Sequence, residues 1–72
     1  MKPVKIETEV AGTVWKIVAR QGAQLAAGDT ILIMESMKME IPIDTPRAGR
    51  LVEVRVAEGD VLNEGDVVAV IE

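Results

Sequence analysis

The sequence predicts an all-β fold, a flattened barrel or sandwich with quasi-twofold symmetry, and three observations predict it. Trp15 is the single aromatic residue, so branched aliphatic side chains, which favour strands, must supply most of the core. Turn-forming residues recur about every 6 to 10 positions, which is too often for helices and typical of short strands. The chain also repeats itself at an offset of 37 residues, so both halves need the same turns in the same places.

The repeat places residues 4–35 over residues 41–72 without a gap, with nine identities in 32 positions. The identical pairs are Ile6/Ile43, Thr8/Thr45, Ala11/Ala48, Gly12/Gly49, Gly22/Gly59, Leu25/Leu62, Gly28/Gly65, Asp29/Asp66 and Glu35/Glu72. Three of them are glycines at equal spacing, which indicates shared turns rather than chance. We therefore expect residues 1–72 to form one domain, built from halves 1–35 and 38–72.

Each half is expected to contain short strands separated by turns. Val4–Glu9 alternates apolar and polar residues, and Thr13–Ala19 follows as a second strand after a break at Ala11-Gly12. Leu25 is expected in the core, and Thr30–Met34 is a continuous apolar run of strand length that the second half repeats. Trp15, which matches Val52 in the repeat, is also expected in the core rather than in contact with a cofactor.

Composition excludes several classes of function. The absence of Cys rules out disulfides, cysteine chemistry and zinc–thiolate sites, and the absence of His removes the commonest metal ligand and general base, so we expect no metal site. The net charge of −4 and the lack of a basic stripe argue against nucleic-acid binding. No apolar run approaches the ~18 residues of a membrane span, and no signal peptide is evident. We expect a cytoplasmic monomer that is too small to be an enzyme acting alone.

The middle of the chain carries the candidate site. The run from Thr30 to Glu35 passes through a tight connection into the run from Glu40 to Asp44, and the repeat symmetry puts this hairpin and the chain ends at opposite ends of the domain. If Ser36 lies opposite Met39, the two central turn residues are Met37 and Lys38. Such turns prefer Asn-Gly, so a Met-Lys pair there indicates a functional requirement. On physical grounds alone, a solvated lysine between methionines folded back onto the barrel fits equally well.

The string Glu-Ser-Met-Lys-Met at positions 35–39 resembles the attachment signature of biotinyl domains, in which the lysine between two methionines receives biotin. Ser36 stands where the family usually has Ala. The spacing Gly22…Leu25…Gly28-Asp29 and its copy at Gly59…Leu62…Gly65-Asp66 also resemble the biotinyl/lipoyl fold, so the resemblance covers essentially the whole chain. It implies two four-stranded antiparallel sheets, the barrel-sandwich hybrid of small bacterial biotin/lipoyl attachment proteins. The chain lacks the insertion that forms a protruding thumb in some acetyl-CoA carboxylase carriers.

The resemblance implies a biotin carboxyl carrier that catalyses no reaction itself. A biotin protein ligase would attach biotin covalently to Lys38, with Met37 and Met39 as flanking recognition residues and weaker contributions from Ser36 and Glu35. A biotin carboxylase would then load the carboxyl group, and a carboxyltransferase would pass it to an acyl-CoA or another acceptor. Because Glu35 has a counterpart in Glu72, which lies away from the tip, a plain solvated role is the favoured interpretation of its charge, as it is for Glu40.

Two other interpretations stay open at the sequence level. A lipoyl carrier of a 2-oxoacid dehydrogenase or glycine-cleavage-type system would use lipoate on the same lysine, although such domains usually carry Asp before the lysine and Ala after it. An unmodified interaction module of the same barrel type, as in membrane-fusion components of efflux systems, would normally interrupt a long helical hairpin, which this sequence lacks.

Overall fold

A computed structural model describes residues 3–72 as eight strands in two four-stranded antiparallel sheets. The strands are β1 Val4–Glu7, β2 Gly12–Ile17, β3 Gln24–Leu25, β4 Thr30–Ser36, β5 Met39–Asp44, β6 Gly49–Val54, β7 Val61–Leu62 and β8 Val67–Ile71. One sheet has the order β5-β4-β2-β7, and we name it the tip-bearing sheet because it contains the central hairpin. The other, the opposite sheet, has the order β1-β8-β6-β3. The predicted all-β sandwich is therefore confirmed.

The quasi-twofold symmetry extends to the pairing register of the strands. In the tip-bearing sheet Ile41 of β5 lies opposite Met34 of β4, and in the opposite sheet the residues 37 positions away, Val4 and Ile71, lie opposite each other. Gly12 pairs with Leu62 across β2 and β7 just as Gly49 pairs with Leu25 across β6 and β3. Sequence positions that match in the repeat therefore occupy equivalent places in the two sheets.

The core between the sheets is aliphatic. Ile31, Leu32, Met34, Leu51 and Ile71 are fully buried. Two further residues predicted to be inside, Leu25 and its repeat mate Leu62, are buried as well. At about 25 cal/mol for each Å² of apolar surface removed from water, this cluster is the main favourable term in folding.

The prediction that Trp15 is a core residue is wrong, because its side chain is 49% exposed. Strict alternation would put Trp15 and Ile17 on the same face of β2, but the pairing of β2 with β4 shifts register between Val14 and Lys16. This β-bulge lets Val14 and Ile17 both turn toward the core while Trp15 and Lys16 both face out.

The opposite sheet contains the equivalent bulge. The pairing of β6 with β8 shifts register between Leu51 and Glu53, so Leu51 and Val54 take the inward positions. The repeat mate of Trp15, Val52, is only half-buried. The outward position of Trp15 is therefore a property of the scaffold and not a local distortion.

The first strand ends earlier than its alternating pattern predicts. β1 stops at Glu7 rather than Glu9 because Thr8 is a buried turn residue whose Oγ1 donates a hydrogen bond to the Val10 carbonyl at 2.8 Å. Its repeat mate Thr45 donates in the same way to the Arg47 carbonyl at 2.7 Å. The second strand likewise runs from Gly12 to Ile17 and not to Ala19, while β4 continues past Met34 to Ser36.

The tip of the β4–β5 hairpin lies at the opposite end of the domain from Val4 and Glu72, as the symmetry predicts. β5 leads away from the tip to Thr45, whose carbonyl accepts a hydrogen bond from the Gly28 N–H at 2.8 Å. Gly28 follows β3, which pairs with Gly49, and Gly49 adjoins Glu72. The domain measures 35 × 18 × 18 Å, so it is an elongated platform. Among residues 3–72 there is no helix long and apolar enough to cross a bilayer.

Two glycines, Gly12 and Gly49, are required by close packing of the backbone. A Cβ added at Gly12 would lie 2.5 Å from the Glu35 carbonyl oxygen, and one at Gly49 would lie 2.8 Å from the Glu72 carbonyl oxygen. The space is closed by backbone atoms, which cannot rotate away as a flexible side chain can. These positions account for the identity of Gly12 and Gly49 in the repeat.

Gly12→Ala is therefore expected to destabilise the domain by about 1–3 kcal/mol, because the added methyl group forces β2 away from β4. Urea denaturation monitored by circular dichroism measures the change in free energy of unfolding. Ala11→Ser, at the exposed neighbouring position, is the matched control and should unfold like the wild type. A Gly12→Ala protein as stable as this control would contradict the close approach of the two strands.

Candidate functional site

The hairpin tip is a two-residue turn between Ser36 of β4 and Met39 of β5, in the register that the sequence predicts. Met37 has φ 53° and Lys38 has φ 66°. Positive φ at both central positions is the signature of a type I′ turn, whose twist matches that of the flanking strands. Within residues 3–72 these two are the non-glycine residues with positive φ, so the unfavourable conformation is confined to the candidate site.

The tip residues point into water. Met37 is 93% exposed, Met39 is 64% exposed, and Lys38 is exposed as well. Large apolar side chains at such positions contribute little to folding, because they remove little surface from water. The structure therefore presents one primary amine between two thioether side chains, at the opposite end of the domain from Glu72.

The weaker candidate residues lie directly below the turn. Ser36 is partly buried, and Glu35 is exposed opposite Glu40 of β5. Glu35 also lies opposite Thr13 of β2, so Thr13, Glu35 and Glu40 form one row across three strands. Val14, the next residue after Thr13, is buried, so this row faces outward. The structure thus places all five predicted site residues within one short hairpin end.

The turn cannot relax easily, because β4 is held on both sides. β4 pairs with β5 along one edge and with β2 along the other. Below the tip, Met34 is fully buried, and its Sδ lies 3.1 Å from the buried Thr8 hydroxyl. A central strand anchored in this way fixes where the tip points.

Among residues 3–72 no group of three or more His, Cys, Asp or Glu side chains could hold a metal ion. The acidic residues of the Gly-Asp turns have a structural role instead. Asp29 Oδ2 accepts the Ala26 N–H at 2.9 Å, and Asp66 Oδ2 accepts the Asn63 N–H at 2.8 Å. These carboxylates close turns, as the sequence predicts.

Sequence reasoning missed three structural supports. The sequence marks Gly12 as a strand break but does not reveal its close approach to Glu35, which lets β2 support the tip. Thr8 is visible as a repeat identity, but its bonds to Val10 and Met34 are not. The third support is a matched pair of side-chain acceptors: Glu58 Oε2 accepts the Ile17 N–H at 3.0 Å, and Gln21 Oε1 accepts the Val54 N–H at 3.3 Å. The repeat register could have revealed this Gln21/Glu58 pair, since the two residues are 37 positions apart.

The chain is similar in sequence to known proteins. The sequence profile described as "Biotin-requiring enzyme" of the biotin/lipoyl family matches residues 2–71. The biotin/lipoyl attachment protein of Bacillus subtilis is 47% identical over 86% of the chain and 85% of its own length. The biotinylated protein TB7.3 homolog of Mycobacterium leprae is 41% identical over 92% of the chain and 93% of its own length.

A solved structure shows the same architecture within a much larger protein. The urea carboxylase of Kluyveromyces lactis superimposes with a TM-score of 0.95 and 33% sequence identity over 100% of the chain. The chain corresponds to only 6% of that protein. The expectation of a biotin carrier that catalyses no reaction itself agrees with these relatives. The profile match and the similarity to the attachment protein together establish that the chain belongs to the biotin/lipoyl attachment domain family.

Proposed function

We propose that this chain is a biotin carboxyl carrier domain whose attachment point is the side-chain amine of Lys38. The observation that carries the proposal is the turn itself. A lysine with positive φ occupies the exposed centre of a turn that would be more stable with glycine. Lysine at this position stabilises the turn less than glycine would. What lysine adds instead is an exposed amine.

The positive φ of Lys38 has an energetic cost. A residue with a Cβ in the left-handed region costs roughly 1–2 kcal/mol relative to right-handed backbone, and Lys38 adopts that region with φ 66°. The strain persists because β4 and β5 are paired from Ser36 and Met39 downward, so the turn residues have no alternative geometry. Strain held in place at an exposed amine is typical of a functional site.

Lys38→Gly is therefore expected to be more stable than Lys38→Ala by about 0.5–1 kcal/mol, since only glycine relieves the positive φ while both variants lack the amine. Chemical denaturation of both variants and of the wild type measures the difference. Lys16→Gly and Lys16→Ala, in the interior of β2, are the matched controls, and there glycine should be the less stable of the two. Equal stability of the two Lys38 variants would show that the turn is unstrained.

The attachment reaction uses the amine as the nucleophile. A lysine ammonium has no free electron pair, so a biotin protein ligase must accept a proton from Lys38 before the nitrogen attacks the carbonyl carbon of biotinyl-adenylate. The new bond is an amide between the Lys38 Nζ and the biotin carboxyl carbon; the bond from that carbon to the phosphate oxygen breaks, AMP leaves, and the nitrogen loses a second proton. The exposure of Lys38 supports this role, because a second protein must enclose the amine.

The residues at the tip fit covalent biotin. Lys38 would hold it through the amide, at a position where the surrounding chain leaves space for an enzyme's active site. The exposed side chains of Met37 and Met39 offer adaptable apolar contacts to the ligase or to the hydrocarbon part of the arm. Biotin supplies a ring nitrogen that can carry a carboxyl group. Beside the turn, Glu35 contributes a negative charge and Ser36 a small side chain to the surface that the ligase would meet.

The partners follow from the relatives. We propose that a biotin carboxylase loads the group and a carboxyltransferase unloads it, with the domain as a rigid platform between them. An attached arm reaches both active sites at high effective concentration without tight docking. The net charge of −4 suits weak, salt-sensitive encounters with basic surfaces. We infer a cytoplasmic location, where ATP and bicarbonate for carboxylation are available, and the monomeric state stays a prediction.

Intact-mass spectrometry tests the attachment point directly. Incubation with biotin, ATP and a biotin protein ligase should add one biotinyl group to the wild-type chain and none to Lys38→Arg, because the guanidinium does not form the amide. Lys16→Arg should be modified like the wild type. Modification of Lys38→Arg, or failure of the wild type to gain mass, would overturn the assignment of Lys38.

The lipoyl alternative is tested by exchanging the two neighbours of the lysine. Met37→Asp/Met39→Ala gives the tip the residues usual in lipoyl domains, and it should lower kcat/KM for biotinylation by about tenfold or more. Both positions are exposed and aspartate tolerates the positive φ of position 37, so the variant should unfold at a temperature no lower than the wild type. Wild-type protein that accepts lipoate from a lipoate ligase faster than it accepts biotin would reverse the order of the two functions.

A further inference from the structure

Exposed apolar side chains beyond the tip lie on one sheet. Apart from Met37 and Met39, the large hydrophobic residues exposed within residues 3–72 are Trp15, Val18 and Val61, at 49%, 50% and 78%. β2 carries Trp15, Val18 directly follows that strand, and β7 carries Val61. All three therefore belong to the tip-bearing sheet or its immediate continuation.

The internal repeat provides a control for this asymmetry. At the equivalent places of the opposite sheet the chain has Val52 for Trp15, Arg55 for Val18 and Gln24 for Val61. Thr13 and Pro42 on the tip-bearing sheet correspond in the same way to Arg50 and Lys5, both exposed. The scaffold is the same in both halves, so folding does not require apolar residues at the places of Val18, Pro42 and Val61, and at the place of Trp15 it accepts the smaller Val52. The larger exposed apolar surface of the tip-bearing sheet points to a role other than stability.

The apolar residues form a surface that is continuous with the tip. Val61 lies opposite Thr13, in the outward row that also contains Glu35 and Glu40. The next outward row contains Lys16, Ile33 and Pro42, with Trp15 beside Lys16 in the bulge. At about 3.3 Å per residue along a strand, this second row lies roughly 10 Å from the Ser36–Met39 pair. We name the surface formed by Thr13, Trp15, Ile33, Pro42 and Val61 the tip-side face.

We propose that the tip-side face is the docking surface for the biotin protein ligase that modifies Lys38; this inference rests on the proposed function. The ligase is a better candidate for this surface than the carboxylase because the unmodified lysine side chain is short. To reach the unmodified amine, the ligase must bring its active site against the protein surface, whereas a carboxylase meets the end of a long arm. A standard interface covers about 800 Å² on each partner, about a sixth of the 4578 Å² surface of this domain. A footprint of that size centred on the tip must extend down one face.

The chemistry of the face specifies the complementary surface. Trp15 is the one aromatic residue of the chain and belongs to this face. Aromatic residues contribute a large share of the binding energy in protein interfaces. Between Trp15 and the tip lie Glu35 and Glu40, which are directly opposite each other and repel. A ligase surface with an apolar patch for Trp15 and a cationic side chain near these carboxylates would satisfy both features.

The test installs the residues that the opposite sheet tolerates. Trp15→Val/Val61→Gln carries the side chains found at Val52 and Gln24, so the fold should accept them. We expect KM for the carrier in the ligase reaction to rise about tenfold or more, with kcat within about twofold, because binding and not chemistry is weakened. Val52→Ala/Gln24→Ala, on the opposite sheet, is the matched control and should leave both constants unchanged. Thermal unfolding of both variants confirms that each is folded.

A second measurement leaves the face intact. Because Trp15 is the only tryptophan, a chain grown with 5-fluorotryptophan gives one ¹⁹F resonance. Lys38→Arg protein labelled in this way cannot be consumed by the ligase, and its resonance should shift or broaden when the ligase is added. The same label placed by Trp15→Val/Val52→Trp on the opposite sheet should not respond.

The outcomes separate this inference from the proposed function. If the wild type is biotinylated on Lys38 but Trp15→Val/Val61→Gln shows the wild-type KM, the docking surface is overturned while the carrier assignment stands. The same holds if that variant is biotinylated normally but, once loaded, is a poorer substrate for carboxylation, since the face would then belong to the carboxylase. If the wild type is not biotinylated at all, the proposed function itself fails.

Discussion

The pairing of β4 between β2 and β5 is the constraint on which the rest of the structure depends. β4 contributes three fully buried residues, Ile31, Leu32 and Met34, to a core that has no aromatic side chain inside it. Both its edges are hydrogen-bonded, so its end at Ser36 cannot shift without breaking one of the two pairings. The position of the tip is therefore set by the same interactions that hold the core together.

That constraint explains how an unfavourable turn survives in a chain of 72 residues. A domain of this size is only marginally stable, and the positive φ of two non-glycine residues, Met37 and Lys38, opposes folding. The turn keeps this conformation because the hairpin below it is long and one face of the hairpin is buried. The product is an amine held at a defined point on a rigid support, to which a flexible group can be attached. The rigid scaffold fixes the attachment point, and a flexible arm on it would let the attached group reach more than one active site.

Internal symmetry makes the differences between the halves informative. Positions that the fold needs are shared, as with Gly12 and Gly49 at the close backbone approaches or Thr8 and Thr45 in the buried turns. Positions that differ in polarity, such as Val18 against Arg55 or Val61 against Gln24, are free of that requirement. The tip-bearing sheet has apolar side chains at places where the opposite sheet has polar or charged ones, such as Arg55, Gln24 and Lys5, so these side chains are not demanded by the fold.

The sequence by itself determined the all-β class, the twofold repeat, the hairpin register and the exposed lysine between two methionines. Those features are local or periodic: turn residues, alternation and a 37-residue offset are visible without knowledge of distant contacts. The tertiary structure decided the outward position of Trp15, because a bulge in β2 depends on how that strand pairs with β4. It also decided why Gly12 is glycine and why Thr8 is buried, since the contacts of Gly12 with Glu35 and of Thr8 with Met34 join residues more than twenty positions apart. Contacts of that kind leave no periodic signal, so only the folded chain could reveal them.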